Sequence, residues 1–161
     1  MSQQKVIMIN ADKCCGCRVC EMACALYNEK ECSPSLARIR VVRNEAVGDS
    51  FPVGCALCSK AVCVEVCPTG ANQIDPNTGT GVINEEKCVG CRACVRACPF
   101  GAAGISYKTG KAFKCNLCNG DPQCVLHCPT NCLEYAPAEL TIRHRRRALA
   151  DDVISKLKGE A

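Results

Sequence analysis

Short alternations of apolar and polar residues, punctuated by glycine, proline and asparagine, run along this chain. Residues 5–10 and 81–84 read as strands, and residues 105–107 and 112–114 flank Gly110 as a hairpin. In residues 37–43, Ile39 and Val41 are set against Arg38, Arg40 and Arg43, with a return strand at 51–53 after the Gly48 and Asp49 turn. That pattern predicts a half-solvated hairpin outside the core. Short helices are expected after Cys20, Cys63, Cys94 and Cys124, each stopping at a Cys-Pro pair except the first, which runs past Ala25. Behind a basic run at 143–147, Leu149, Val153 and Leu157 recur at helical spacing and predict a C-terminal helix from about 145 to 158. Apolar runs such as residues 6–9 are far shorter than the roughly 20 residues a membrane-spanning helix needs.

Composition changes this picture. Nineteen of the 161 residues are cysteine, only six are aromatic, and none is tryptophan. A conventional core would be thin, so covalent or metal staples are expected to replace it. The opening residues, Met1, Ser2, Gln3, Gln4 and Lys5, do not resemble an export signal. The expectation is therefore a cytoplasmic protein whose cysteines bind metal instead of forming disulfides.

The cysteines fall into four groups. Group one is Cys14, Cys17, Cys20 and Cys24, and group three is Cys88, Cys91, Cys94 and Cys98, both with gaps of two, two and three residues. Group two, Cys55, Cys58, Cys63 and Cys67, and group four, Cys115, Cys118, Cys124 and Cys128, widen only the middle gap. This is the spacing of ferredoxin runs, in which three close thiolates hold one 4Fe-4S cube and a fourth reaches a different one. Sixteen ligands suffice for four cubes.

Residues 9–24 and 83–98 agree at ten of sixteen positions, and Leu57, Val64 and Cys67-Pro68-Thr69 match Leu117, Val125 and Cys128-Pro129-Thr130. Agreement outside the cysteines indicates internal duplication in the order odd, even, odd, even. The fold class expected is α+β: two ferredoxin-like units of two clusters each, related by duplication, with short strands, short helices and the C-terminal helix.

A loop that wraps a cube must curl and turn its N–H groups toward sulfur, and Gly16 and Gly90 permit that curl. Proline after the distant cysteine, as at Pro68, Pro99 and Pro129, turns the chain away; group one has Ala25 there. Structural zinc is the competing reading, as in a zinc-stapled interaction protein whose basic tail binds a partner. Zinc sites rarely add a third cysteine three residues on, and do not need a fourth in each group. Of the remaining cysteines, Cys15 aligns with Val89 and Cys132 with Ala71, which predicts buried inert thiols. Cys32 has no counterpart, and His127 and His144 carry no sign of a triad.

These residues resemble the four-cluster ferredoxin subunits of the dimethyl-sulfoxide-reductase iron–sulfur group. The resemblance covers residues 5 to about 135, including the missing proline after Cys24 and the two widened groups. It implies that groups one and four form one unit (1–54 plus 114–137), groups two and three the other (55–113), with 138–161 as a basic helical extension. It further implies four ligand sets: Cys14, Cys17, Cys20 and Cys128; Cys24, Cys115, Cys118 and Cys124; Cys55, Cys58, Cys63 and Cys98; and Cys67, Cys88, Cys91 and Cys94. Spacing alone equally permits pairing one with two and three with four. The segment at 33–41 looks like that of small iron–sulfur subunits accompanying tungsten aldehyde oxidoreductases or carbon monoxide dehydrogenases.

The formal charge of +4 counts every thiol as neutral. Sixteen thiolates and four oxidised cubes bring the loaded protein to about −4, so binding to nucleic acid is not expected. There is no Walker loop, nucleotide-binding glycine turn or carboxylate pair. The function implied is a non-catalytic subunit relaying single electrons between a catalytic redox subunit, with a tungsten or molybdenum enzyme favoured, and a second carrier or flavin subunit. Carbon monoxide dehydrogenase, hydrogenase and formate dehydrogenase are alternative settings. Head-to-tail self-association is a further expectation of a duplicated array.

Overall fold

The chain closes on itself: β1 (Lys5–Ile9), at its head, pairs antiparallel with β8 (Leu133–Pro137). The computed structural model describes residues 4–58, 60–139 and 150. Apart from residue 150, the expected C-terminal helix and its basic run lie outside these residues. Among the described residues, three further antiparallel pairs follow. They join β2 (Arg40–Asn44) to β3 (Asp49–Val53), β4 (Asn72–Ile74) to β5 (Gly81–Ile83), and β6 (Ala103–Ile105) to β7 (Ala112–Lys114). Helices among the described residues include α1 (Val19–Glu29), α2 (Val62–Glu65), α3 (Ala93–Ala97) and α4 (Gln123–Leu126).

Helix α1 packs on α4, and α2 packs on α3. Groups one and four therefore share one half of the molecule with the β1–β8 pair. Groups two and three share the other with the β4–β5 pair. In the aligned repeat Ile9 corresponds to Ile83 and Leu133 to Asn72. The structure pairs Ile9 with Leu133 and Ile83 with Asn72, so the register is the same in both halves. The next backbone bond repeats as well: Asn10 N–H donates to the Cys132 carbonyl and Asn84 N–H to the Ala71 carbonyl, each at 2.8 Å.

Each helix begins two residues earlier than the sequence reading placed it, one residue before the third cysteine of its group, which sets that cysteine inside the first turn. The β6–β7 hairpin is shifted: its first strand spans Ala103–Ile105 and leaves Tyr107 in the turn.

Cysteine supplies much of the buried interior. One core gathers Cys20, Cys24, Cys124 and Cys132 with Ala25, Ala37, Ile39, Val41 and Leu133. A smaller one gathers Cys88 and Cys94 with Ala71 and Ala112. The β2–β3 hairpin is half-solvated as its alternation predicts, with Val42 and Phe51 exposed, but it does not lie outside the core. Ile39 and Val41 face inward, because the buried Glu21 of α1 accepts the Val41 N–H at 2.6 Å and fixes the hairpin against that helix.

Candidate metal centres

Local backbone shape builds the cysteine loops. Gly16 and Gly90, at equivalent positions, both have φ +68°. Arg18 and Arg92 follow with φ 60° and 64°, and Leu57 and Leu117 have φ 48° and 51°. Left-handed residues inside a short loop curl the chain so that successive N–H groups point to one side, an anion-holding arrangement. At Gly90 a side chain would meet the Gly110 carbonyl oxygen, a backbone atom with no rotamer to give way.

The curled loops face one another across cavities. Cys55, Cys58 and Cys63 of group two line a cavity of about 600 Å³, including its open mouth, together with Cys98 of group three. Cys115, Cys118 and Cys124 of group four line another, of about 450 Å³, with Cys24 of group one. Cys88, Cys91 and Cys94 of group three line a third with Cys67 of group two. Each wall thus holds three cysteines from one group and the fourth cysteine of another, the second cavity with Cys55 in addition. Cys17, Cys20 and Cys128 lie within electrostatic reach of one another, and Cys14 stands beside the buried Cys132. Cys55 borders both of the first two cavities.

Backbone N–H groups converge on the sulfurs. Arg38 N–H donates to Cys24 Sγ at 3.3 Å, Ala102 N–H to Cys98 Sγ at 3.4 Å, and Cys132 N–H to Cys128 Sγ at 3.3 Å. Ala112 N–H reaches Cys88 Sγ at 3.4 Å. The Thr69 and Thr130 hydroxyls lie 3.8 Å and 3.7 Å from Cys67 and Cys128 Sγ.

Burial pushes the Cys115 thiol up to about 12, with Cys55, Cys24 and Cys118 adding to the rise and the Leu117 N–H opposing it. Cys20 is likewise pushed up to about 12 by burial. At Cys128, burial raises the pKa, but the Leu133 N–H, the Thr130 hydroxyl and further amides outweigh it and hold the thiol below its ordinary value. Cys67 is lowered in the same way, burial being outweighed by the Asn72 N–H and the Thr69 hydroxyl. Thiols packed together in low dielectric resist ionising until an iron site supplies positive charge.

The donor set fits iron–sulfur cubes. Among the described residues no three Cys, His, Asp or Glu side chains converge on a point as a single ion requires. The sulfurs instead stand around cavities and receive N–H bonds, as a multi-atom cluster with thiolate corners demands. Such a cluster, when bound, takes up and releases one electron at a time.

The remaining cysteines separate. Cys132 is buried at 2% exposure, as expected. Cys15 is exposed, and its counterpart Val89 is 65% exposed, which overturns the expectation of a buried thiol. Cys14 is half-buried and Gly16 buried, while the residue between them faces solvent, as does Cys17. Cys32 is exposed. The exposed His127 directs Nδ1 at the Gln123 carbonyl, 3.0 Å away, within its own helical turn. Sequence reasoning missed Lys114. It is buried, lines the Cys55 cavity, and donates from Nζ to Cys63 Sγ at 3.2 Å. Its position directly before Cys115 was the available signal.

Known proteins agree with this chemistry. The family profile of the 4Fe-4S dicluster domain matches residues 46–137. The polyferredoxin-like subunit of an aliphatic sulfonate oxidoreductase from Pyrococcus furiosus is 44% identical over 122 residues, 76% of this chain and 70% of that one. The electron transport protein HydN of Escherichia coli strain K12 is 34% identical, covering 91% of this chain and 97% of its own. Among solved structures, a chain of the BamBC active site complex of benzoyl coenzyme A reductase shares the fold. Its TM-score is 0.50 at 24% identity, with 96% of each chain covered. The mixed helix and strand arrangement is compatible with a ferredoxin-like fold, and four 4Fe-4S clusters are consistent with the cysteine count. No helix of the described residues is long and apolar enough to cross a membrane. The chain belongs to the 4Fe-4S dicluster, ferredoxin-type family of electron-transfer subunits, which serve oxidoreductases without being catalytic themselves.

Proposed function

We propose that this chain relays single electrons through four 4Fe-4S clusters between a catalytic oxidoreductase subunit and a second carrier. The ligand sets are Cys14, Cys17, Cys20 and Cys128; Cys24, Cys115, Cys118 and Cys124; Cys55, Cys58, Cys63 and Cys98; and Cys67, Cys88, Cys91 and Cys94. One observation carries the assignment: three cavities are each lined by three cysteines of one group and the distant cysteine of another.

The same geometry supports two units, 1–54 plus 114–137 and 55–113, related by duplication, with matched strand registers as the main support. The order of the relay follows from adjacency. The Cys14 set neighbours the Cys115 set through Cys20 and Cys124, the Cys115 and Cys55 cavities share Cys55, and α2 and α3 join the Cys55 set to the Cys88 set. The catalytic partner is an oxidoreductase of tungsten or molybdenum type, and the setting is cytoplasmic. The sulfonate oxidoreductase association of the Pyrococcus relative supports a catalytic partner of some kind.

Anaerobically purified protein should contain about sixteen iron and sixteen sulfide per chain, with a brown colour that dithionite bleaches. Iron near eight would remove two of the four sets. A colourless zinc protein would refute the whole reading.

A further inference from the structure

Lys114 breaks the symmetry of a duplicated array. The match of Cys55 with Cys115 and Leu57 with Leu117 puts Gly54 where the other half has Lys114. Gly54 presents no charge, and an added Cβ there would find only Ile39 at 3.9 Å. Lys114 follows the β7 backbone to the edge of the Cys115 set, yet its side chain crosses to the neighbouring cavity and reaches Cys63.

Lys114 is 8% exposed and, among the described residues, no carboxylate pairs with its ammonium. Space has been kept for it: any side chain at Gly81 would collide with Lys114 Nζ and crowd Asn72 Oδ1. The cation bordering the other cavity, Arg38, is by contrast neutralised by Glu29 at 3.1 Å. A desolvated cation without a carboxylate partner is tolerated only where other negative charge faces it.

We propose that Lys114 sets the potential step at the crossing between the two units, by stabilising the reduced form of the cluster held by Cys55, Cys58, Cys63 and Cys98. This rests on the ligand sets proposed above. Each arriving electron adds one negative charge to that cluster, and the fixed ammonium compensates it. No bond is made or broken and no proton need accompany the electron. The neighbouring Cys115 set, facing Gly54 and a paired arginine, is compensated less, since the ammonium acts on Cys55 and Cys63 more strongly than on Cys115. Electrons therefore rest on the Cys55 side of the crossing.

The test is an EPR-monitored redox titration of the full chain, purified anaerobically, as wild type, Lys114→Met, Lys114→Arg and Cys58→Ser. Lys114→Met should keep the wild-type iron and sulfide content while one midpoint falls by about tenfold in the reduction equilibrium, about 59 mV for one electron. Lys114→Arg should restore most of the shift. The component that moves should be the one that Cys58→Ser removes or alters. Unmoved midpoints in Lys114→Met, or a shift confined to a component that Cys58→Ser leaves intact, would overturn the proposal. If Lys114→Met loses iron, Gly54→Lys decides. A lysine there should raise one other midpoint, and no change would count against charge compensation. A wild-type iron content near eight is a different failure, that of the ligand sets themselves.

Discussion

The Tyr107 hydroxyl donates to Glu31 Oε1 at 2.6 Å, linking residues 76 positions apart. Lys108 pairs with the other oxygen of the same carboxylate. These contacts tie the loop after α1, in the half built from groups one and four, to the turn of the β6–β7 hairpin in the other half. The hydrogen-bonded ammonium of Lys108, helped by the Tyr107 hydroxyl, holds the Glu31 carboxyl below its usual range. A lowered carboxylate pKa adds stability above the ordinary value and loses it as pH falls through the folded value. The thermal-midpoint difference between wild type and Glu31→Gln should thus be constant from about pH 8 to pH 6 and shrink only below about pH 4.5. It should also shrink in molar salt, since the pair is exposed. A difference that changes between pH 8 and 6 would contradict this.

Glu21→Ala should destabilise the protein by about 1–3 kcal/mol, because the buried Val41 N–H loses its acceptor. Hydrogen exchange would show the effect as faster exchange at the Val41 amide. Glu21→Gln keeps an acceptor oxygen and should retain most of the protection.

Gly90→Ala should cost the protein about four of its iron atoms, since a methyl group there meets the Gly110 carbonyl and the loop carrying Cys88 and Cys91 cannot close. Gly101→Ala is the control. It shares a positive φ of 61° but meets nothing within 4 Å, so only conformational strain of about 1–2 kcal/mol is expected and the iron content should hold.

Cys67→Ser and Cys132→Ala should separate ligand from packing roles. Cys67 borders the cavity of Cys88, Cys91 and Cys94, so its loss should perturb the EPR signal that Cys91→Ser perturbs. Cys132 is buried without lining any of the three cysteine-lined cavities, and Cys132→Ala should lower stability while leaving iron unchanged. Equal iron loss in both variants would make Cys132 a ligand.

Removing iron with chelator and oxidant should abolish most of the native circular dichroism, because the interior is built largely from cysteine, alanine and a few aliphatic residues. Native secondary structure in the apo protein would show that packing alone suffices.

Local chemistry was legible in the residues. Cysteine spacing, Gly16 and Gly90, and the Cys-Pro pairs act over a few positions, so the curled loops and short helices could be read without coordinates. The strand β4 was overlooked and β8 with it, although the repeat aligns them; Asn72 and Leu133 stand in for one another and only one is apolar. Tertiary structure decided which groups share a cavity, since spacing alone equally allowed two pairings. Antiparallel closure of β1 on β8, across almost the whole described chain, brings groups one and four together. The inward face of Ile39 and Val41, the exposure of Cys15 and the reach of Lys114 to Cys63 were settled there too. Each depends on what packs opposite a side chain, and spacing along one strand cannot specify a neighbour that folds back from elsewhere.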